Sequence, residues 1–99
     1  MLARFSVAPL NKWEGMSVEV AESLAIIKAS GLSYQLTAMG TIVEGEPEEV
    51  FELIKKVHMN MRAKNPRVST SIDIDDKVGM SGQLKAKTSS VEEKLKTGA

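Results

Sequence analysis

The stretch from Tyr34 to Glu49 reads YQLTAMGTIVEGEPEE. It predicts a strand, a reversal at Gly40, a second strand and a helix that begins near Pro47, because glycine permits the turn and proline suits a first helical turn. Two threonines and a glutamate interrupt strands that apolar residues would fill more simply, and burying them unpaired would cost a few kcal/mol each. The residues expected to face water, a partner subunit or a ligand are therefore Thr37, Thr41 and Glu44.

On either side of this hairpin, periodicity predicts the remaining strands and the extent of the helices. Residues 2–8 and 67–75 alternate apolar and polar side chains, which is typical of half-buried strands. Apolar residues three and four apart predict an amphipathic helix from Ser17, a good N-cap, to about Ser30, and a second helix from Pro47 to about Lys64. A short edge strand at 84–87 and a last helix at 91–96 are predicted to form a C-terminal extension.

The predicted order of strand, helix, strand, strand, helix and strand (βαββαβ) indicates one α+β domain over residues 1–99. It is a ferredoxin-like sandwich, an antiparallel four-stranded sheet with two helices on one face. The residues predicted to form its core are Phe5, Val7, Val20, Leu24, Ile27, Leu36, Val50, Ile54, Val57, Val68 and Ile72. The other face of the sheet, which no helix covers and which we call the open face, is predicted to carry a row of polar side chains. The row consists of Arg4, Ser6, Gln35, Thr37, Ser69, Ser71 and Asp73.

Two interpretations of that polar row stay open. It is either a solvated face or a lined site, closed by a second subunit, in which hydroxyls donate and accept and Asp73 accepts from an amino group. Such a site suits a neutral or cationic heterocycle. Glu44 either belongs to the acids before the second helix or pairs with a ligand amine. His58 is predicted to pack, and Trp13 to anchor a loop in preference to stacking on a ligand.

Composition excludes several classes of function. The chain has 13 basic and 13 acidic residues and a net charge of zero, so nothing favours nucleic acid or anionic membrane, whereas self-association is favoured. It has no cysteine, which excludes disulfides and thiolate sites, and no second histidine for a metal site. No apolar run approaches the roughly 20 residues of a membrane span. A cytoplasmic protein without metal is expected.

Residues 30–46 (SGLSYQLTAMGTIVEGE) and 67–75 (RVSTSIDID) resemble a family of small proteins of about this length, the thiamine-binding-protein-like group. The GTIVEGE run at 40–46 is its specific part, and the likeness covers nearly the whole chain. The resemblance implies a ferredoxin-like homo-oligomer, typically a tetramer, that binds thiamine or its hydroxymethylpyrimidine moiety without covalent chemistry. It implies no catalytic residue and no cofactor.

Rival families of the same fold fit less well. The segment 8–12 is not the arginine-bearing phosphate loop of an acylphosphatase, and the open face lacks the aromatics of an RNA-recognition domain. An oligomeric scaffold or regulatory subunit without a ligand remains the alternative. If the strand register were shifted by one, Tyr34 and Thr70 would replace two of the predicted ligand-binding residues. Those predicted residues are Ser6, Thr37, Thr41, Glu44 and Ser71.

Overall fold

The computed structural model describes residues 1–10 and 16–79, together with the single residue Leu84. Six elements follow in the predicted order. They are β1 (Leu2–Pro9), α1 (Met16–Ala29), β2 (Ser33–Thr37), β3 (Gly40–Glu44), α2 (Pro47–Lys64) and β4 (Val68–Asp75). The four strands form one antiparallel sheet in the order β2-β3-β1-β4. The predicted ferredoxin-like sandwich is confirmed, while the predicted Trp13 anchor, the strand at 84–87 and the helix at 91–96 fall outside ranges 1–10 and 16–79.

The register of the sheet fixes which side chains share a face. Phe5 of β1 lies opposite Thr41 of β3 and Ile72 of β4. Directly opposed residues of antiparallel strands project to the same side, so Thr41 faces the helices with Phe5. The same rule places Tyr34 and Thr70 on the helix side. The polar row is therefore on the open face, as the alternation predicts.

The core lies between α2 and the centre of the sheet. Buried side chains recur along α2 at Val50, Leu53, Ile54, Val57 and Met61. This spacing of three and four residues gives one continuous apolar stripe, which packs on the central strand. Pro47 begins the helix, and the Asn65 side chain donates to the Met61 carbonyl at 2.9 Å where the helix ends. The cap satisfies a carbonyl that the last turn leaves without a partner.

Part of the predicted core is wrong. Phe5, Ile27, Val50, Ile54 and Val57 are buried, and Val7, Leu24 and Val68 are half-buried. Three others are largely exposed, at 56% for Val20, 53% for Leu36 and 42% for Ile72. The last two belong to the edge strands β2 and β4, whose outer flanks no helix covers. In α2, Leu53 also belongs to the buried stripe although the predicted core omits it, whereas Phe51 is 48% exposed.

Helix α1 is rotated relative to the predicted stripe. Its inward row runs through Glu19, Ser23 and Ile27, spaced one turn apart, with Glu19 and Ile27 each only 3% exposed. Val18 and Val20 point outward. The rotation directs a serine hydroxyl and a carboxylate towards the interior, where the sequence pattern predicts valine and leucine.

An ion pair joins the two helices. Lys64 of α2 contacts both carboxylate oxygens of Glu22 on α1, and the Asn60 amide donates to the same carboxylate at 3.1 Å. The hydrogen bond from Lys64, followed by that from Asn60, lowers the pKa of Glu22 below its ordinary value of 4.5. These bonds stabilise the folded state only while Glu22 is ionised.

Replacing Glu22 by Gln is expected to lower the free energy of unfolding at neutral pH. It is also expected to reduce the loss of that free energy as the pH falls. Because the pKa of Glu22 is lower in the folded than in the unfolded chain, its contribution is complete above 4.5 and disappears as the pH falls through the lowered value. Urea unfolding at a series of pH values measures this. Glu52→Gln, an exposed change on α2, is the control. A wild-type to E22Q difference that stayed constant on acidification would contradict the prediction.

Candidate functional site

A cleft of about 270 Å³ lies between α1 and the helix side of β1, β3 and β2. We call it the α1 cleft. Its walls are mainly apolar and include Phe5, Ile27 and Leu36, while its polar groups come from both layers. The volume is close to the lower end of the roughly 300–1,000 Å³ typical of small-molecule sites. The cleft therefore fits one small ring system. The polar residues that line it are Ser6, Ser23, Thr37 and Thr41.

Two hydroxyls of the α1 cleft are available to a ligand. The Ser23 oxygen is buried and has no hydrogen-bond partner among the residues that the structure describes. Thr41 is half-buried on the opposite wall, and its side chain likewise makes no hydrogen bond within ranges 1–10 and 16–79. A buried hydroxyl left without a partner costs free energy that a bound polar group would recover. Only the Ser23 hydroxyl is both buried and without a partner, and the half-buried Thr41 hydroxyl lies on the other wall, so the apolar cleft has the few polar groups that a small-molecule site uses.

Thr37 and Gly40 shape the mouth of the cleft. The Thr37 hydroxyl donates to the Gly40 carbonyl at 2.8 Å and accepts from the Met39 amide at 3.1 Å, so only one acceptor lone pair remains for a ligand. Gly40 has a φ of +137°, and a Cβ atom there would lie 2.7 Å from the Phe5 carbonyl oxygen. The hairpin thus packs against β1 without room for a side chain.

Replacing Gly40 by Ala is expected to lower the free energy of unfolding by about 1–3 kcal/mol for the backbone strain alone. The clash with a backbone oxygen adds to that cost, because the oxygen cannot move aside as a flexible side chain would. Gly31→Ala is the matched control, since Gly31 also has a positive φ, +75°, but nothing lies within 4 Å of its added Cβ. Denaturant unfolding of both variants measures the difference. Equal losses would contradict a tight approach of the hairpin to β1.

The structure brings three of the five predicted ligand-binding residues together. Ser6, Thr37 and Thr41 all border the α1 cleft, but the register projects only Thr41 to the helix side, whereas Ser6 and Thr37 belong to the row on the open face. Ser71 lies opposite Ser6 on β4, on the open face. Glu44 also lies on the open face, opposite Leu2 and Ser33, and is three residues or about 10 Å along β3 from Thr41. The ligand-binding roles of all five stay predictions, and the structure divides them between two surfaces.

Arg4 organises the open face. Its guanidinium forms an ion pair with Asp73 of β4 and donates from Nη1 to the Met39 carbonyl at 3.1 Å. The side chain therefore connects the β2–β3 turn to the far edge strand across β1. Arg4 and Asp73 are 41% and 65% exposed, so the pair is solvated and contributes little to stability.

Sequence reasoning missed two inward groups of α1, Glu19 and Ser23. Their inward orientation was not predicted because the neighbouring apolar residues Val18, Val20 and Leu24 also fit a helical stripe. A usable signal was the four-residue spacing of Glu19, Ser23 and Ile27, which places an acid and a hydroxyl in line with a core residue. Ser23 lines the α1 cleft, and Glu19 lies one turn before it.

Other groups considered at the sequence level have structural roles. His58 Nδ1 lies 2.6 Å from the Thr70 hydroxyl, which links α2 to β4 in agreement with the packing role predicted for this histidine. In the described part of the chain, no three His, Cys, Asp or Glu side chains are grouped so as to hold a metal ion. Neither described helix is long and apolar enough to cross a membrane.

Comparison with known families agrees with the resemblance seen in the hairpin. A family model described as thiamine-binding protein matches residues 3–92. The chain belongs to this family. Among its relatives, UPF0045 protein Mb1933 of Mycobacterium bovis is 34% identical over 96 residues, covering 96% of this chain and 94% of the relative. UPF0045 protein YqgV of Bacillus subtilis is 36% identical over 100 residues, covering 95% and 96%.

Solved structures of similar proteins share the fold. Hypothetical protein MJ1052 of Methanocaldococcus jannaschii superposes with a TM-score of 0.82 at 27% identity, over 93% of this chain and 95% of that one. A Thermotoga maritima protein, whose name suggests a role in thiamine biosynthesis or salvage, gives a TM-score of 0.74 at 23% identity, over 89% and 96%. Both proteins therefore share the fold of this chain.

Proposed function

We propose that this protein binds thiamine or a related hydroxymethylpyrimidine in the α1 cleft, without catalysing a reaction. The family is named for thiamine binding, and one structural neighbour carries a name that points to thiamine biosynthesis or salvage. The observation that carries the proposal is the pair of hydroxyls, Ser23 and Thr41, across an apolar cleft. Binding would give the buried Ser23 hydroxyl the hydrogen bond it lacks in the described structure.

The chemistry of an aminopyrimidine suits these walls. Its flat ring would pack on apolar side chains such as Phe5 and Ile27, and its ring nitrogens accept hydrogen bonds from the Ser23 and Thr41 hydroxyls. Its exocyclic amine would donate to the remaining lone pair of Thr37. A cleft of about 270 Å³ holds this single ring. In intact thiamine the thiazolium ring would extend through the mouth towards solvent.

The second candidate function is an oligomeric scaffold or regulatory subunit that has no ligand of its own. The open face favours it, because the exposed row of serines around the Arg4–Asp73 pair would suit a wet subunit interface. In either case we propose a homo-oligomer, most simply a tetramer, and light scattering should return a multiple of the 10.8 kDa chain mass. A cytoplasmic location stays a prediction from the sequence.

Calorimetry with the purified protein tests the proposed function. Thiamine, thiamine phosphate and hydroxymethylpyrimidine would each be titrated into the same preparation. We expect hydroxymethylpyrimidine or thiamine to bind with a Kd below about 100 µM, which corresponds to roughly −5.5 kcal/mol. No heat from any of the three at a protein concentration of about 300 µM, several times the highest expected Kd, would overturn the binder and favour the scaffold.

A further inference from the structure

Resting on the proposed function, we infer that the α1 cleft selects the free alcohol form of its pyrimidine ligand and excludes the phosphate ester. A cleft of about 270 Å³ holds a single ring. The substituent on the hydroxymethyl arm of that ring must therefore lie at the mouth of the cleft, where the thiazolium ring of thiamine would emerge. The groups around the mouth decide which substituents can bind.

The mouth of the cleft offers a phosphate neither donors nor charge. Val20 of α1 and Leu36 of β2 line the cleft and are nevertheless 56% and 53% exposed, so they form the two lips of its opening. The Thr37 hydroxyl beside them already donates to the Gly40 carbonyl. A phosphate monoester carries a charge of about −1.5 to −2 at neutral pH. Between apolar lips it would lose water without gaining a partner, which costs free energy.

The described walls of the cleft provide no positive charge either. None of the described residues that line it is a lysine, an arginine or a histidine. Arg4 of β1 lies on the open face, where it pairs with Asp73. Lys64 of α2 contacts the carboxylate of Glu22. Both of these cations are thus engaged by carboxylates outside the α1 cleft.

The α1 wall further disfavours an anion. Glu19 is 3% exposed and lies one turn before Ser23 in the inward row, which places the Cβ atoms of the two residues about 5–6 Å apart. An ionised carboxylate there repels a phosphate and favours a neutral or cationic group. The cleft meets α1 only from Val20 onward, beyond the first turn whose free amides attract anions. The ligand class is therefore the alcohol as it exists before phosphorylation.

Paired titrations test this selection. Hydroxymethylpyrimidine and its phosphate ester would be titrated by calorimetry into the same preparation of the protein. We expect the Kd of the ester to exceed that of the alcohol by about tenfold or more. A smaller ratio, with the alcohol bound, would overturn the inference and leave the proposed function in place. If neither compound binds, the proposed function fails and the inference fails with it.

A lysine on one lip tests the physical cause. In Val20→Lys the new ammonium can pair with the phosphate, so the ratio of the two Kd values is expected to fall about threefold or more below that of the wild type. Added salt should reduce this gain by screening. Val18→Lys is the matched control, because Val18 is 61% exposed on the same helix but is not among the lining residues. Its ratio should equal that of the wild type.

The outcome for the lysine variants is decisive once folding is checked by circular dichroism. Leu36→Lys makes the same change on the other lip and replaces Val20→Lys if that variant does not fold. A folded lip variant whose ratio equals that of Val18→Lys would show that the apolar lips do not exclude the ester, and would overturn the inference.

Discussion

Replacing Phe5 by Ala is expected to lower the free energy of unfolding by about 3–5 kcal/mol. The phenyl ring is 3% exposed on the central strand β1 and belongs to the core that α2 covers. Truncation removes apolar contacts and leaves a cavity that the rigid sheet cannot close. A domain of this size has a total stability of roughly 5–15 kcal/mol, so the variant would approach the limit of folding.

Chemical denaturation at a fixed protein concentration measures this loss. Phe51→Ala removes the same side chain from a position that is 48% exposed, and it is expected to cost far less. The comparison holds residue chemistry constant and varies only burial. Similar losses for Phe5→Ala and Phe51→Ala would show that the core is not between α2 and β1.

Removing either free hydroxyl of the α1 cleft is expected to weaken hydroxymethylpyrimidine binding. Ser23→Ala and Thr41→Val each delete a hydrogen-bond partner, and the ligand atom left unpaired costs about 1–3 kcal/mol, or roughly 5- to 150-fold in Kd. The Ser23 hydroxyl has no partner in the described structure, so its removal should leave the free energy of unfolding unchanged or slightly raised. Weaker binding with unchanged stability separates a ligand contact from a packing defect.

The open-face residues are the controls for this prediction. Glu44→Gln and Ser71→Ala alter two predicted ligand-binding residues that lie on the other side of the sheet from Thr41. If the ligand occupies the α1 cleft, both variants bind as the wild type does. A loss of affinity in Glu44→Gln together with wild-type affinity in Thr41→Val would place the ligand on the open face.

The hairpin, the faces of the strands and α2 were predictable because their signals are local. Period two in β1 and β4 distinguishes the faces, Gly40 and Pro47 mark the turn and the helix start, and the α2 row repeats every three or four residues. The resemblance of the hairpin sequence to the thiamine-binding-protein-like group also predicted the family correctly. Each of these features is determined by residues close together in the sequence, so the sequence alone is enough to predict it.

The rotation of α1 and the exposure of the sheet edges were not predictable in the same way. Whether Glu19 or Val20 faces inward depends on how α1 sits over β2 and β3, which is decided by residues distant in sequence. The exposure of Leu36 and Ile72 depends on which strands become edges. Thr41 was expected to face water, a partner or a ligand, and only its register with Phe5 places it in the α1 cleft.

Methyl NMR of the isoleucines during a titration with hydroxymethylpyrimidine tests the binding site most directly. Ile27 lines the α1 cleft, whereas Ile42 lies opposite Arg4 on the open face. We predict that the Ile27 methyl resonances shift in proportion to saturation and that those of Ile42 stay in place. Shifts at Ile42 with none at Ile27, or no shift at either under saturating ligand, would contradict binding in the α1 cleft.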